Sequence, residues 1–207
     1  MRVAAVVLAA GGSARMGSPK QLLRLGGATL IRHAVRTALA SRCDRVFVVV
    51  GAAAAEVTRE IDDLPVETVL NASWADGIAS SIRAGVETVA AAEPRFDAAL
   101  LILADQPAIT VEILDRVAAA AEDAPAGLVA CEYAGTIGAP ALYSRQRFAA
   151  LCRLQGDRGG KALLEAHADT VVRIPFAPAA IDVDTPDDLR QLRLTTPPQP
   201  RRARDPE

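Results

Sequence analysis

Residues 3–20 read Val-Ala-Ala-Val-Val-Leu-Ala-Ala-Gly-Gly-Ser-Ala-Arg-Met-Gly-Ser-Pro-Lys, and this stretch decides the fold. Its first part is a continuous apolar run, which is typical of a buried parallel strand. The glycines that follow can adopt positive φ angles, so successive backbone N–H groups can point into one concavity and bind an anion. Arg15 and Lys20 add two cations along the same turn. A first strand followed by such a loop predicts a site for the phosphates of a nucleotide.

Two common phosphate-binding loops do not fit this stretch. Gly12 and Gly17 have the spacing of a P-loop, but Ser18 stands where that loop requires lysine. The glycines also cannot be aligned with Gly-x-Gly-x-x-Gly, the fingerprint of dinucleotide-binding folds. The sequence therefore predicts a nucleotide site of a different kind.

Composition narrows the class of protein. The 207 residues suit one domain, and 51% of them are apolar, which is enough for a core. A net charge of −2 and an aromatic content of 3% argue against nucleic-acid and membrane partners. The three cysteines (Cys43, Cys131 and Cys152) lack metal-ligand spacing, so we expect reduced, mostly buried thiols. No secretion signal or membrane-length apolar run is present, so we expect a cytoplasmic protein.

Short apolar runs alternate with segments of helical periodicity along the chain. This alternation predicts an α/β fold, a single Rossmann-like three-layer α/β/α domain with a mostly parallel central sheet, over residues 1–194. Residues 195–207 are rich in Pro and Arg and are expected to form a disordered tail. Further strands are expected at 45–51, 66–70, 97–104, 128–133 and 171–176, helices at 30–39 and 52–61, a loop at 135–143, and a helix capped by Ser144.

Three aspartates are candidates for a metal site. Asp105 follows the most apolar predicted strand, at the edge where open α/β sheets bind ligands. A carboxylate there is costly to desolvate unless it meets a cation, and the next helix has its own cap in Thr110. Asp182 and Asp184 precede a helix start whose cap and dipole positions are filled by residues 185–188, so they also lack a structural explanation.

Taken together, these motifs resemble a known family. The opening Leu-Ala-Ala-Gly-x-x-x-Arg-Met-Gly…Lys, from Leu8 to Lys20, is similar to the signature of nucleotidyltransferases related to the molybdenum cofactor cytidylyl- and guanylyltransferases, which have a nucleotide-diphospho-sugar transferase-like domain. Ala104 departs from the family's Gly-Asp-Gln-Pro, and Ile137 and Ala139 stand where Arg and Asn are common. The other similar blocks are Asn71-x-x-Trp74-x-x-Gly77-x-x-x-Ser81, Ala104-Asp105-Gln106-Pro107, Gly138-Ala139-Pro140, Gly156-Asp157-Arg158-Gly159-Gly160-Lys161 and Asp182-Val183-Asp184-Thr185-Pro186.

The resemblance implies a role for residues in each block. Arg15, Lys20 and Asp105 would be catalytic, and Mg²⁺ or Mn²⁺ would lie between Asp105 and Asp184, with Asp182 in reserve. The acceptor would contact Gly138, Pro140, Arg158 and Lys161. The nucleotide would contact Leu8, Ala9, Ala10, Gly11, Gly12, Arg15, Gly17, Lys20, Asn71, Ser81 and Asp105. Local patterns alone leave alternatives open, because a core Trp74, a helix cap at residues 80–81 and a plain turn at 156–161 would explain the same letters.

The resemblance implies transfer of CMP from CTP to the phosphate of molybdenum cofactor (molybdopterin), with release of pyrophosphate. The methyl group of Ala10 would restrict room for a purine and favour CTP. An apo-molybdoenzyme would be a further partner. The alternatives are transfer to another phosphorylated acceptor, of the guanylyl or sugar-phosphate type, and a Rossmann-like reductase or a cofactor chaperone.

Overall fold

The computed structural model of the chain describes residues 1–12 and 19–181. Six α-helices are present in these ranges: α1 (Leu30–Ala40), α2 (Ala54–Arg59), α3 (Ile78–Ala91), α4 (Val111–Ala120), α5 (Phe148–Leu151) and α6 (Lys161–Glu165). The strands of the same ranges are β1 (Val3–Leu8), β2 (Arg24–Leu25), β3 (Ala28–Thr29), β4 (Arg45–Val50), β5 (Glu67–Leu70), β6 (Ala98–Leu103), β7 (Leu128–Tyr133), β8 (Thr136–Ser144) and β9 (Val172–Pro175).

Seven of these strands form one sheet in the order β5-β4-β1-β6-β8-β7-β9. β1 pairs in parallel with β4 on one side and with β6 on the other. β8 is antiparallel to both β6 and β7, so it runs against the other six strands of the described sheet. The mostly parallel sheet predicted from the continuous apolar runs is confirmed.

Helices cover both faces of this sheet. On one face, α1, α2 and α4 pack through buried residues such as Val35, Val57 and Leu114. On the other face, α3, α5 and α6 pack through residues such as Val86 and Leu164. Both faces of the central strands are therefore dry, which is why β1, β4 and β6 are apolar apart from Arg45 at the start of β4 and show no alternation. The predicted three-layer α/β/α fold is confirmed.

The prediction of a loop at 135–143 was wrong. Residues Thr136–Ser144 form β8, which fills the gap between β6 and β7. The pairing between β7 and β8 shifts register between Ala130 and Cys131, so Ala139 and Pro140 are left without partners on β7. Pro140 has no N–H to donate, and this irregularity accommodates it. Glycine and proline suggested a turn, but long-range pairing made a strand.

Several smaller expectations can be compared with the structure. Ser144 ends β8 and is the N-cap of a short 3-10 helix at Arg145–Arg147 that runs into α5, as expected, but its side chain makes no cap hydrogen bond. The helix expected at 52–61 is shorter, Ala54–Arg59. The three cysteines are free thiols. Among the described residues, no helix is both long and apolar enough to cross a membrane. The predicted tail at 195–207 lies outside the described residues.

Candidate active site

A cavity, called the first cavity below, lies at the carboxyl ends of β1 and β6. After β1 the chain builds β4 and β5 on one side and then crosses to β6 on the other, so the strand order reverses there. Open α/β sheets bind ligands at such a switch point. The cavity has a volume of about 350 Å³ and is closed on its third side by the N-terminal end of α3.

The described part of the glycine loop is held by two side chains. Gln21 is buried, and its Nε2 donates to the carbonyl oxygens of Ala9 at 3.1 Å and Gly11 at 2.9 Å. Trp74 lies against Gly12 so closely that a Cβ on this glycine would be 2.8 Å from the indole. Glycine at position 12 is therefore required by a close approach. Two residues predicted for this loop, Arg15 and Gly17, lie outside the described residues.

Lys20 and Asp105 meet in the first cavity although they are 85 positions apart. The Lys20 ammonium donates to Oδ2 of Asp105, and both side chains are largely buried. Asp105 does not cap the next helix, because Thr110 is the N-cap of α4 and its side chain accepts from the backbone N–H of Ile113. The carboxylate is therefore free of a cap role, as predicted.

The N-terminal end of α3 carries a buried polar network. Nδ2 of Asn71 donates to Ser80 Oγ at 2.8 Å and to Ser81 Oγ at 3.0 Å, while its Oδ1 accepts from the N–H of Ser73. Ser80 donates onward to the carbonyl of Gly77. The hydroxyl proton of Ser81 has no acceptor among the described residues, and Ser81 lines the cavity. It can therefore donate to a ligand.

Trp74 is exposed to 38% and lines the first cavity, so the core alternative for this residue was wrong. The helix-cap alternative for residues 80–81 was wrong as well, because α3 begins at Ile78 behind Gly77, whose φ is +96°. A Cβ on Gly77 would lie 2.6 Å from the backbone of Gly156. This contact seats the loop around residue 157 on the helix.

A second, smaller cavity of about 170 Å³ adjoins the first. Three of the residues predicted for the acceptor, Gly138, Arg158 and Lys161, line it. Pro140 is buried and is absent from the lining. The two cavities share the lining residues Leu8, Ile78, Leu103 and Asp157. A molecule in the second cavity would therefore face a molecule in the first.

The side chains around the two cavities can be examined as ligands for a divalent cation. Within residues 1–12 and 19–181, no cluster of three or more His, Cys, Asp or Glu side chains is found. Asp105 is the carboxylate beside Lys20, and Asp157 lines both cavities. Mg²⁺ needs few protein carboxylates, because it keeps waters and takes phosphate oxygens of the substrate. The described residues fit a cation held largely by substrate.

The two other aspartates of the predicted metal site, Asp182 and Asp184, lie outside the described residues. The chain nevertheless returns towards Asp105 just before them. Gln106, the neighbour of Asp105, donates from Nε2 to the carbonyl oxygen of Ala179 at 2.9 Å. Ala179 precedes Asp182 by three positions.

Sequence reasoning missed several residues of the two cavities. Gln21 and Asp157 lie inside or beside the quoted motifs, so their position was a usable signal. Tyr133 and Tyr143 line the second cavity from β7 and β8. Tyr133 ends a mostly apolar strand and Tyr143 lies within one, so neither tyrosine has a signal that separates it from the core.

The motif resemblance is supported by comparison with known proteins. A family model described as a MobA-like NTP transferase domain matches residues 5–171 of the chain. The chain belongs to this family. As a MobA-like NTP transferase it is a nucleotidyltransferase by type, and the resemblance found in the motifs is confirmed.

Relatives of this MobA-like chain carry different names. It is 30% identical over 200 residues to the purine catabolism protein PucB of Bacillus subtilis, across 91% of this chain and 94% of that protein. It is 27% identical over 186 residues to the molybdenum cofactor cytidylyltransferase of Escherichia coli, across 89% and 92%. A nicotine blue oxidoreductase of Paenarthrobacter nicotinovorans is 37% identical over 115 residues, and this match spans 55% of the chain and only 54% of that protein.

Solved structures agree with the MobA-like fold. An Rv0371c homologue from Mycobacterium sp. strain JC1 superposes with a TM-score of 0.80 at 35% identity, covering 94% of this chain and 97% of that one. The manganese complex of Rv0371c from Mycobacterium tuberculosis gives a TM-score of 0.79 at 28% identity, covering 95% and 100%. A close structural neighbour has therefore been crystallised with a divalent metal.

Proposed function

We propose that this protein transfers CMP from CTP to the phosphate of molybdenum cofactor and releases pyrophosphate. The observation that carries the proposal is the pair of adjoining cavities. The first has a glycine loop, Lys20 and Asp105, and the second has Arg158 and Lys161 in its lining. The name of the Escherichia coli relative, which matches along nearly the whole chain, supports this choice of substrates.

The first cavity would bind the nucleotide. Backbone N–H groups of the loop after β1 and the ammonium of Lys20 would hold the triphosphate, with Arg15 assigned to the same task by the resemblance. The hydroxyl of Ser81 would donate to the nucleotide from the end of α3. The positive end of the α3 dipole would favour the same negative charge.

The second cavity would place the acceptor for attack. A phosphate oxygen of the acceptor attacks the α-phosphorus of CTP, a new P–O bond forms, and the bond to the β-phosphate oxygen breaks so that pyrophosphate leaves with the electron pair. A phosphate monoester is ionised near neutral pH, so no general base is required. Alignment by the two cavities and neutralisation of charge supply most of the rate.

Asp105 would hold a divalent cation together with Asp184, or with Asp182 in reserve. Mg²⁺ or Mn²⁺ bound there would neutralise phosphate charge during the transfer. The manganese complex of the Rv0371c neighbour supports divalent metal use in this fold. When the nucleotide binds, Lys20 would exchange its contact with Asp105 for a contact with a phosphate group.

The test is pyrophosphate release from CTP, GTP, ATP and UTP, each with Mg²⁺ and with or without molybdopterin. We expect release with CTP only when molybdopterin is present. Asp105→Asn should lower kcat by about 100-fold or more, since the carboxylate that would hold the cation is lost. Asp169→Asn is the matched control, because Asp169 is an exposed carboxylate in the described chain. A GTP preference would contradict the choice of CTP, and release with sugar phosphates alone would contradict the acceptor.

One finding favours a second candidate, an oxidoreductase. The nicotine blue oxidoreductase is 37% identical over the matched 115 residues. The absence of Gly-x-Gly-x-x-Gly from the opening loop argues against a dinucleotide site of the usual kind. Titration with NADH and NADPH, followed by nicotinamide fluorescence, separates the two. Binding that CTP does not compete away would favour the oxidoreductase.

A further inference from the structure

Tyr143 presents its hydroxyl to the second cavity. The residue lies on β8, is only 1% exposed and lines the second cavity. Among the residues that the structure describes, its hydroxyl has no hydrogen-bond partner. The fully buried side-chain atoms without a partner among the described residues are Arg83 Nε, Gln106 Oε1 and Ser144 Oγ, so the Tyr143 hydroxyl is accessible from the cavity. A ligand in the cavity can therefore accept its proton.

The surroundings of this hydroxyl leave it open to the cavity. Gly160 faces it, and a Cβ on this glycine would lie 2.5 Å from the hydroxyl oxygen. Any larger residue at position 160 would cover the oxygen. The neighbouring lining residues Ile82, Leu101 and Leu164 are apolar, so nothing else at this depth competes for the hydroxyl.

The polar groups of the second cavity are arranged by depth. Arg158 and Lys161 are exposed and therefore lie at its rim, whereas Tyr143 lies at its buried end. Tyr133 is half-buried in the same lining, and a Cβ on Gly138 would lie 2.5 Å from its hydroxyl oxygen. Burial raises the pKa of Tyr143 far above the ordinary value of a phenol, so the hydroxyl keeps its proton and acts as a donor.

We propose that Tyr143 determines acceptor specificity, because its hydroxyl donates a hydrogen bond to the end of the acceptor that enters the second cavity. The inference rests on the proposed function, since it needs an acceptor in this cavity. The acceptor would be a phosphorylated molecule whose other end is a small ring with an exposed acceptor atom, such as a ring carbonyl or nitrogen. A volume of about 170 Å³ suits one ring, because a cavity of about 150 Å³ holds benzene.

The experiment compares Tyr143→Phe with Ser144→Ala. Ser144 is the next residue of the same strand and has a buried hydroxyl oxygen without a partner, but it is absent from the linings of both cavities. Each variant therefore removes one unpartnered hydroxyl, and each should leave the melting temperature unchanged or raise it. Only Tyr143→Phe should change acceptor binding.

With CTP and molybdopterin, Tyr143→Phe should raise KM for molybdopterin about tenfold, which corresponds to ~1.4 kcal/mol. KM for CTP should stay within about twofold, and Ser144→Ala should leave both constants unchanged. An active Tyr143→Phe variant with an unchanged KM for molybdopterin would overturn the inference while the proposed function stands.

Direct binding separates the inference from the reaction. Molybdopterin alone, without nucleotide, is titrated against wild type and Tyr143→Phe and followed by tryptophan fluorescence. About tenfold weaker binding by the variant supports the inference even where no pyrophosphate is released, a result that would defeat only the proposed function. Equal binding by the two proteins, or binding by neither, would overturn the role of Tyr143.

Discussion

At the scale of single residues, the methyl group of Ala10 carries the proposed choice of base. Ala10 is buried at the edge of the first cavity, and its Cβ lies 2.8 Å from where a Cβ on Gly51 would be. The two positions are therefore packed against each other, and the methyl group has little room to move aside for a larger ligand.

We expect Ala10→Gly to widen the choice of nucleotide. One methyl group in a pocket discriminates by roughly 10- to 200-fold, so the ratio of kcat/KM for CTP over GTP should fall by at least about tenfold. The measurement is pyrophosphate release with each nucleotide under the same conditions. Ala9→Gly is the control: the resemblance implied a nucleotide contact for Ala9, but it packs into the core on the opposite face of the sheet and does not line the first cavity. An unchanged CTP-to-GTP ratio in Ala10→Gly would contradict the role of this methyl group in the preference for CTP.

A second residue-scale prediction concerns stability and pH. The Arg32 guanidinium donates from Nη1 to Oδ1 of Asp63 at 2.7 Å, and this hydrogen bond lowers the pKa of Asp63. Because the folded pKa lies below the unfolded one, the pair stabilises the protein above the unfolded value, and this contribution is lost as the pH falls through the folded value.

Asp63→Asn should therefore lower the melting temperature at pH 7, and the difference from wild type should shrink as the pH falls below about 4, the ordinary pKa of an aspartate. Thermal unfolding measured between pH 7 and pH 2.5 gives the comparison. Asp62→Asn changes the same charge at the neighbouring exposed position and should have a smaller effect at every pH. A difference that grows towards acid pH would contradict this assignment of the ion pair.

At the scale of elements, one side chain joins the end of β5 to the start of α3. Asn71 is 5% exposed and holds Ser80, Ser81 and the backbone of Ser73. Asn71→Ala leaves the hydroxyls of the buried Ser80 and Ser81 without their donor, which costs about 1–3 kcal/mol. The melting temperature should fall by roughly 3–10 °C. KM for CTP should rise as well, because Ser81 lines the nucleotide cavity.

Thr88→Ala provides the control for that variant. Its hydroxyl donates to the carbonyl of Ala84 within the same helix, so its loss leaves no group of another element unpaired. Differential scanning calorimetry of the two variants tests the difference. Equal losses of stability, or no change of KM in Asn71→Ala, would show that the network does not link β5 and α3 to the nucleotide.

The elements also show which parts of the fold the sequence predicts. β1, β4 and β6 were predictable because strands covered on both faces are apolar without interruption. β8 was not, because Gly138 and Pro140 are typical of loops and only pairing with β6 and β7 makes them a strand. Local composition cannot report a partner that is distant along the chain.

The features of the candidate site also divide into those that the sequence predicts and those that depend on contacts between distant parts of the chain. Lys20 and Asp105 were predictable because glycine loops and strand-end carboxylates can be recognised from the amino-acid sequence alone. The contact between them was not predicted, and neither was the unpartnered hydroxyl of Tyr143. Both are properties of what surrounds a side chain, and these surroundings come from distant parts of the chain.

At the scale of the whole molecule, the sheet brings together two loops whose charged side chains pair with each other. Lys20 comes from the loop after β1, and Asp105 comes from the end of β6 on the adjacent strand. Without nucleotide the carboxylate is occupied by the lysine. A cation at Asp105 and a phosphate at Lys20 should therefore favour each other, because each removes the competing partner of the other.

This coupling predicts the metal affinity of Lys20→Gln. In wild type, CTP should tighten Mn²⁺ binding by about tenfold, and Mn²⁺ should tighten CTP binding by the same factor. Lys20→Gln should bind Mn²⁺ alone more tightly than wild type, because Asp105 loses its competing ammonium, whereas its affinity for CTP should fall. Titration calorimetry with MnCl₂ and with CTP measures both affinities.

The control is Lys161→Gln, which removes the other lysine of the chain. It should keep the wild-type affinity for Mn²⁺, since Lys161 lines the second cavity beside Glu165 and not the first. If Lys20→Gln binds Mn²⁺ no better than wild type in the absence of nucleotide, the lysine does not compete with the metal, and the two loops bind their ligands independently.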